Sequence, residues 1–467
     1  MTLPLAQVLA AVLSAHAGSA ESPAIQYDVA ASPGAADLEI EMALPPGLDP
    51  RLIVDPAAIG FVEDVQRWDG AGWTPVLSVA GAPRADCRRT GCRIKYRFHL
   101  ARAAAAIDDP DTAADRGGAL VAPVSTWALR PEHLPDSGLR GRVHVVAPPP
   151  LAFVTGLAPV PGAADTYWVA LLPGFVSPYS AFGRFDDEKI RIGGATLDLA
   201  IASPALDGDR VRLRAWVLSA ARAVTAYFGR FPVAWALILA VPQPAGVHGK
   251  AMGGGGAAVL LQIAPGANLG DPSVDWQAAH EMVHLAVPEM PRAQIWLTEG
   301  VATYVEPLAR SLTGELRPAS VWRDLMLGLP KGLPGPGDRG LDRTHTWGRT
   351  YWGGALFAFL ADLEIHRATQ GRQSLATGLR GVLAAGGDAR SFWSVERFIA
   401  TFDASIERPI LRGLYQRLAL QPGKIDLPAL WRQLGISLTG GEVTLDDGAP
   451  LAPIRRAMIG PASVHVP

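Results

Sequence analysis

Short runs in which apolar and polar residues alternate dominate the first third of the chain. DLEIEMAL, CRIKYRFHL and GRVHVVAP each repeat with a period of two, and clusters of Pro, Gly and Asp break them at short intervals. This is the pattern of half-buried strands joined by turns. It predicts an all-β domain, a sandwich, over residues 25–161, with residues 103–118 (AAAAIDDPDTAADRGG) as a polar, Asp-rich loop inside it. After Tyr167 the pattern becomes mixed. Strand-like YWVALL, EKIRI and TLDLAI precede a helix whose apolar stripe is Leu213, Val217, Ala220, Val224 and Phe228. Asp209 is its expected N-cap, and Gly229 and Pro232 close it. A buried strand, WALILAV, and a glycine-rich segment, GKAMGGGGAAVLLQI, come next. From Asp275 onward the chain reads as mainly helical, with SVERFIATF, PILRGLYQRLA and LPALWRQLG as late helices and GEVTLDD as a last short strand. No internal repeat is visible.

Composition narrows the class. With 467 residues, 49% hydrophobic content and a formal charge of -2, the chain can bury several cores and carries no net charge that would favour nucleic acid or an anionic membrane. Residues 1–20 hold a short apolar run and then Ala15-His16-Ala17, which fits a secretory signal with an A-x-A cleavage site. The longest later apolar run, residues 232–242, is too short for a span of about 20 residues, so no integral membrane segment is expected in the mature chain. The two cysteines, Cys87 and Cys92, flank Thr90-Gly91, a tight turn that brings two short strands into register. A disulfide across that hairpin and an exported, periplasmic or secreted location support each other. Free thiols are the alternative; a metal site is disfavoured, because no further Cys or nearby His completes a ligand set.

The chemistry concentrates after Asp275, which can cap a helix running to about Ala286 and stopped by Pro288. His280 and His284 of HEMVH then lie one turn apart on one face, where two imidazoles can share one Zn2+. Glu281 falls beside the open coordination position, where a carboxylate can act as general base on a water. A third ligand is needed. QIWLTEGVATYVEPLAR, a second helix beginning after Pro291, offers Glu299, with fourteen residues between it and His284. Glu289 in the connecting loop and Glu306 two turns on compete for that role, and Thr303 is placed to hydrogen-bond a ligand or simply to face solvent.

HEMVH followed by WLTEGVATYVE resembles the gluzincin metallopeptidases, especially the aminopeptidase N family, and the β-rich front half, YFGRFPVAW and the helical tail also look like the glycyl aminopeptidase family. The resemblance implies a multi-domain α+β chain. Its expected parts are a signal peptide (1–20), an N-terminal β-sandwich (21–163), a thermolysin-like zinc catalytic domain of mixed sheet plus helices (164–380) and a C-terminal helical region (381–467). It implies zinc on Glu299, and Tyr351 of RTYWGG as a phenol that helps stabilise the tetrahedral oxyanion, with a helix-start Tyr packed on the core as the alternative. His345 is a second candidate donor.

Two features depart from the family. The gap between the motifs is shorter by about one helical turn. Where the family has a glycine-rich strand ending in a Glu that grips the substrate's free amine, this chain has Ala251-Met252 and then Gly253, Gly254, Gly255 and Gly256. Strict aminopeptidase specificity is therefore not expected. The glycine run is read either as an edge that binds an extended peptide by its backbone or as a turn entering the next strand. The Pro/Gly-rich segment 328–340 reads as a surface connection or a gate over a cleft. The functional expectation is a zinc-dependent peptidase acting on a peptide or protein substrate. Its rival is a zinc-binding scaffold that binds peptides without turnover.

Overall fold

The computed structural model describes residues 25–79, 81–135, 138–172 and 176–459; the expected signal segment lies outside them. Strands β1 (Ile25–Ala31), β2 (Leu38–Leu44), β3 (Val62–Trp68), β4 (Trp73–Pro75), β5 (Cys92–Phe98), β6 (Leu139–Val146) and β7 (Thr166–Leu171) form one sheet in the order β7-β6-β1-β2-β5-β3-β4. Period-two alternation sets its faces: Ile25, Tyr27 and Val29 are buried while the residues between them are exposed. Ile40, Met42, Ile94, Tyr96 and Phe98 join that core around Trp127. The sheet continues past residue 163, because β7 pairs antiparallel with β6. The expected disulfide joins Cys87 and Cys92, but Cys87 lies in a loop, so the bond ties that loop to the start of β5 and does not cross a hairpin.

One expectation fails within this region. Residues 103–118 are not a simple loop: Leu100–Ile107 is a helix and Ala114–Arg116 a strand. The helix buries Leu100, Ala103 and Ala104, an i, i+3, i+4 stripe that a run of alanines hides in the sequence. Ala114–Arg116 belongs to a four-stranded sheet with Ala119–Val121, Ser180–Gly183 and Ala152–Thr155. This small sheet joins the two halves of the molecule. Leu120 and Phe182 face the first core, while Val121 and Ala181 pack against the next sheet.

That next sheet contains β8 (Phe185–Ile192), β9 (Ala195–Ala202), β10 (Trp235–Pro242), β11 (Val247–Met252) and β12 (Ala258–Ile263), in the order β8-β9-β10-β12-β11. β9, β10 and β12 run parallel, and β8 and β11 are antiparallel edges. Every residue of β9 is buried, as expected for a parallel strand covered on both faces. The small sheet covers one face and helices cover the other. The helices that matter for the site are α1 (Arg210–Phe228), α2 (Gln277–His284), α3 (Ile295–Leu312), α4 (Pro318–Gly328) and α5 (Gly354–Thr369).

Two expected caps are used otherwise. Asp209 stands at the N-cap position of α1, but its carboxylate accepts from Gly266 N–H at 2.8 Å and pairs with Arg212. Asp275 precedes α2 without capping it and instead binds Arg310 of α3 at 2.6 Å. That ion pair ties the start of one site helix to the other. Segment 328–340 is pinned: Arg349 pairs with Asp338 at 2.8 Å and donates to Gly332 O. Among the described residues no helix is long and apolar enough to cross a membrane.

Candidate metal centre and cleft

α2 is short and lies against the sheet, burying Ala278, Ala279, Met282 and Val283, and this fixes the direction in which His280 and His284 project. The chain turns through Pro288 and Pro291 and enters α3 by a 3-10 turn at Arg292–Gln294. α3 then lies back on α2 with Glu299 facing the imidazole pair. Its depth is set by a glycine crossing, since a Cβ on Gly300 would lie 2.1 Å from the backbone carbon of Gly354 in α5.

Nε2 of His280 and Nε2 of His284 each lie 3.4 Å from Oε2 of Glu299, and one ligand atom from each residue falls within 4.8 Å of the others. Two imidazole nitrogens and a carboxylate oxygen are a zinc donor set, and tetrahedral ligands at about 2.0–2.1 Å from one ion stand about 3.4 Å apart. The contacts are also long for hydrogen bonds. The residues thus fit a shared divalent ion. Burial opposes charge on His284, but the Glu299, Glu281 and Glu289 carboxylates hold its pKa up at about 9. Burial by itself would raise Glu299; the two imidazoles instead hold it well below the usual carboxylate range. Mutual electrostatic attraction therefore concentrates these groups at one point.

The competing carboxylates are elsewhere. Glu306 is buried against Arg310 at 2.9 Å, with burial pushing its pKa up to about 7. Glu289 lies outside the triad, on the loop after α2, and lines the cleft. Thr303 is half-buried on α3, its hydroxyl without a hydrogen-bond partner among the described residues. Glu281 is buried, and its Oε2 accepts from Ala251 N–H of β11 at 2.8 Å, which orients the carboxylate toward the triad. This approach needs a glycine: a Cβ on Gly249 would stand 2.6 Å from Glu281 Cγ.

Tyr351 occupies a π-helical turn, Arg349–Gly353, that leads into α5. Burial pushes its phenol up to about 12, with Glu299 and Glu281 adding to the effect, so it remains a neutral donor beside the triad. His345 is exposed on the preceding loop, whereas Trp347 leans on Tyr351 with ring centres 6.0 Å apart.

The glycine run is a packed turn and not an edge strand. Gly254 and Gly255 have φ of 88° and 82°, and their N–H groups are taken by Ala389 O and Arg390 O. Cβ atoms on Gly253 and Gly254 would lie 1.9 and 2.0 Å from backbone oxygens. The exposed strand edge is the preceding segment, β11. Ala251 turns its N–H outward to Glu281 and Val247 its C=O outward to Gln277, so alternation places the main chain of Gly249 on the same open edge.

No protein-family model matches the sequence, and no curated protein matches it. Solved structures do. An aminopeptidase N family protein from Idiomarina loihiensis superposes with a TM-score of 0.68 at 13% identity, over 89% of this chain and 79% of that one. Legionella pneumophila aminopeptidase A, determined with aspartic acid, superposes with a TM-score of 0.56 at 13% identity, over 85% of this chain and 49% of that one. The chain has the aminopeptidase N fold.

Within this fold, sequence reading missed three contributors to the cleft. Gly249 was read only as the first residue of the glycine-rich segment. Asp111, in the segment read as a featureless loop, accepts from Tyr179 at 2.6 Å and pairs with Lys250 of β11. Glu289 was weighed only as a metal ligand. The signal that could have flagged it is its place in a Pro-bounded turn next to a metal motif, where an acid that is not a ligand still faces the cleft.

Proposed function

We propose that the chain is a zinc-dependent peptidase, with His280, His284 and Glu299 as the metal ligands and Glu281 as general base. The observation that carries this reading is the 3.4 Å spacing of both imidazoles from one carboxylate oxygen, with a second carboxylate oriented beside them by a backbone N–H. Zinc held by these residues would supply a Lewis acid for the scissile carbonyl and make a water acidic enough to lose a proton near neutral pH.

The protein's own groups do the rest. An extended peptide pairs with the open edge of β11, which sets its carbonyl beside the triad. Glu281 takes the proton of the attacking water and passes it to the leaving amine. Tyr351, kept neutral by its raised pKa, donates to the charge that develops on the carbonyl oxygen. The Cys87–Cys92 disulfide supports an exported location, where such a bond persists.

The test compares wild type with Glu281→Gln on a mixed peptide library, with zinc measured in both. Wild type is expected to cleave, and the variant to keep its zinc and lose activity by about 100-fold or more. Equal residual activity in the two proteins would leave the zinc-binding scaffold as the better reading. Metal-free protein after zinc-replete purification would remove the site itself.

A further inference from the structure

The Pro/Gly-rich stretch between α4 and Tyr351 carries two acids, Asp338 and Asp342, four residues apart. Each reaches an element that bears a residue of the centre. Asp338 pairs with Arg349 at 2.8 Å, their side chains only 3% and 8% exposed. Arg349 lies two residues before Tyr351 in the same π-helical turn. Asp342 accepts from the indole N–H of Trp296 at 2.8 Å, and Trp296 lies three residues before Glu299 in α3.

Neither contact stands alone. A π-helical turn is a rare departure from the α-helix, and here its surroundings come from the same stretch of chain. A Cβ on Gly332 would lie 2.3 Å from the backbone of Trp352, and one on Gly348 would lie 2.5 Å from Lys331 O, so the main chain closes on both sides of Tyr351. Arg349 adds a bond to Gly332 O. On the other arm, Asp342 also accepts from Gln294 at 3.1 Å and from the hydroxyl of Tyr415, whose ring stacks on Trp296 with centres 6.4 Å apart. Trp296 is 1% exposed, so its indole has no room to swing away from the carboxylate. Between the two acids, Gly340 has φ of 94° and packs on Ala419 O, which seats the stretch on the C-terminal helices.

The glycine crossing at Gly300 sets how deep α3 lies but leaves its roll about the axis open. A side-chain atom stands about 5 Å from a helix axis. At that radius a displacement of about 0.2 Å, the tolerance of a ligand distance, is a roll of about 2°. A hydrogen bond to a buried indole one turn away restrains that roll, because residues three apart are neighbours on one face.

We propose that Asp338 and Asp342 are positioning residues: one segment holds the oxyanion donor Tyr351 through Arg349 and the metal ligand Glu299 through Trp296, and so keeps the two in register. This rests on the peptidase reading for the roles of Tyr351 and Glu299, and it makes the segment a fixed brace and not a gate.

Zinc affinity, read by competition with a chelator, and steady-state kinetics on a cleaved peptide separate the two arms. Asp342→Ala is expected to weaken zinc by about 10-fold, the lower end for outer-shell partners of a metal site. Asp342→Asn keeps an oxygen for the indole N–H and is expected to recover most of that loss. Asp338→Asn leaves a buried guanidinium without its anion and is expected to lower the urea midpoint. In Asp338→Asn/Arg349→Met the cation is gone as well, so the midpoint is expected to return toward wild type while kcat stays down by about 100-fold, with KM and zinc affinity unchanged. Added to Tyr351→Phe, the same double change is expected to lower kcat no further, because it acts through that phenol. Recovery of kcat together with stability, or full additivity with Tyr351→Phe, would overturn the Asp338 arm. Wild-type zinc affinity in Asp342→Ala would overturn the Asp342 arm. The peptidase reading survives either result. A zinc-loaded wild type that cleaves no peptide would sink that reading and the Asp338 arm with it, while the chelator measurement still decides Asp342. A metal-free wild type would remove the zinc site and the brace together.

Discussion

The glycine crossing of α3 and α5 makes a prediction whose sign separates local from tertiary control. Gly300 follows Glu299 directly, and a Cβ there would lie 2.1 Å from Gly354 C and 2.3 Å from Gly354 Cα. On helix propensity alone, Gly300→Ala should stabilise α3 by about 1 kcal/mol. Carbon atoms in ordinary contact stand about 3.5–4.0 Å apart, so the helices must separate by roughly 1.5 Å to admit the methyl group. Overpacking typically costs about 1–3 kcal/mol, and here the opposing atoms are backbone and cannot rotate away. We expect a net loss of about 2 kcal/mol, read as a lower midpoint in urea unfolding with an unchanged slope. The same movement carries Glu299 away from His280 and His284. Ligand distances tolerate only about ±0.2 Å, so the zinc content of Gly300→Ala is expected to fall well below one per chain. Val301→Ala is the control: Val301 is 2% exposed, and its truncation costs about 2 kcal/mol by leaving a cavity, with zinc retained. A Gly300→Ala protein as stable as wild type and fully loaded with zinc would refute the crossing as the device that positions Glu299.

Gly249→Ala places a methyl group against Glu281 Cγ and should push the carboxylate off Ala251 N–H. Activity is expected to drop by about 100-fold, the effect of a displacement near 1 Å, while zinc content measured by mass spectrometry stays at the wild-type level. His99 pairs with Asp37 at 2.6 Å and Glu63 at 2.9 Å; its bond with Glu63, above all, raises its pKa over the free value. The stability it contributes is therefore complete below the unfolded value, about 6.5, and is lost as pH rises through the higher folded value. Thermal melts of His99→Gln should fall short of wild type by more at pH 5.5 than at pH 9, and a deficit independent of pH would contradict the pairing.

The hydrophobic period and a few punctuating residues determined much of this protein before any coordinates. Alternation placed β1, β2, β5 and β6, and the stripe from Leu213 to Phe228 placed α1, because burial of one face requires that period. The spacing of His280, Glu281 and His284 put two imidazoles on one helical face by helix geometry alone, a local relation fixed within two turns of chain, whereas Glu299 stood among three candidate acids, with Glu289 and Glu306, for the third donor.

What remained hidden depends on approaches between distant segments. The alanines at 103 and 104 gave no contrast from which to read a helix. The glycine run read as either an open edge or a turn, and the packing of Ala389, Val176 and Gly156 on it makes it a turn, while Asp275 read as a cap but is taken by Arg310 from the next helix. Glu289 lies 36 residues beyond Gly253 in sequence and touches it only because the sheet edge and the loop after α2 meet. The imidazole pair was legible from spacing, whereas the choice of the facing carboxylate and the cleft around it were decided by tertiary contact.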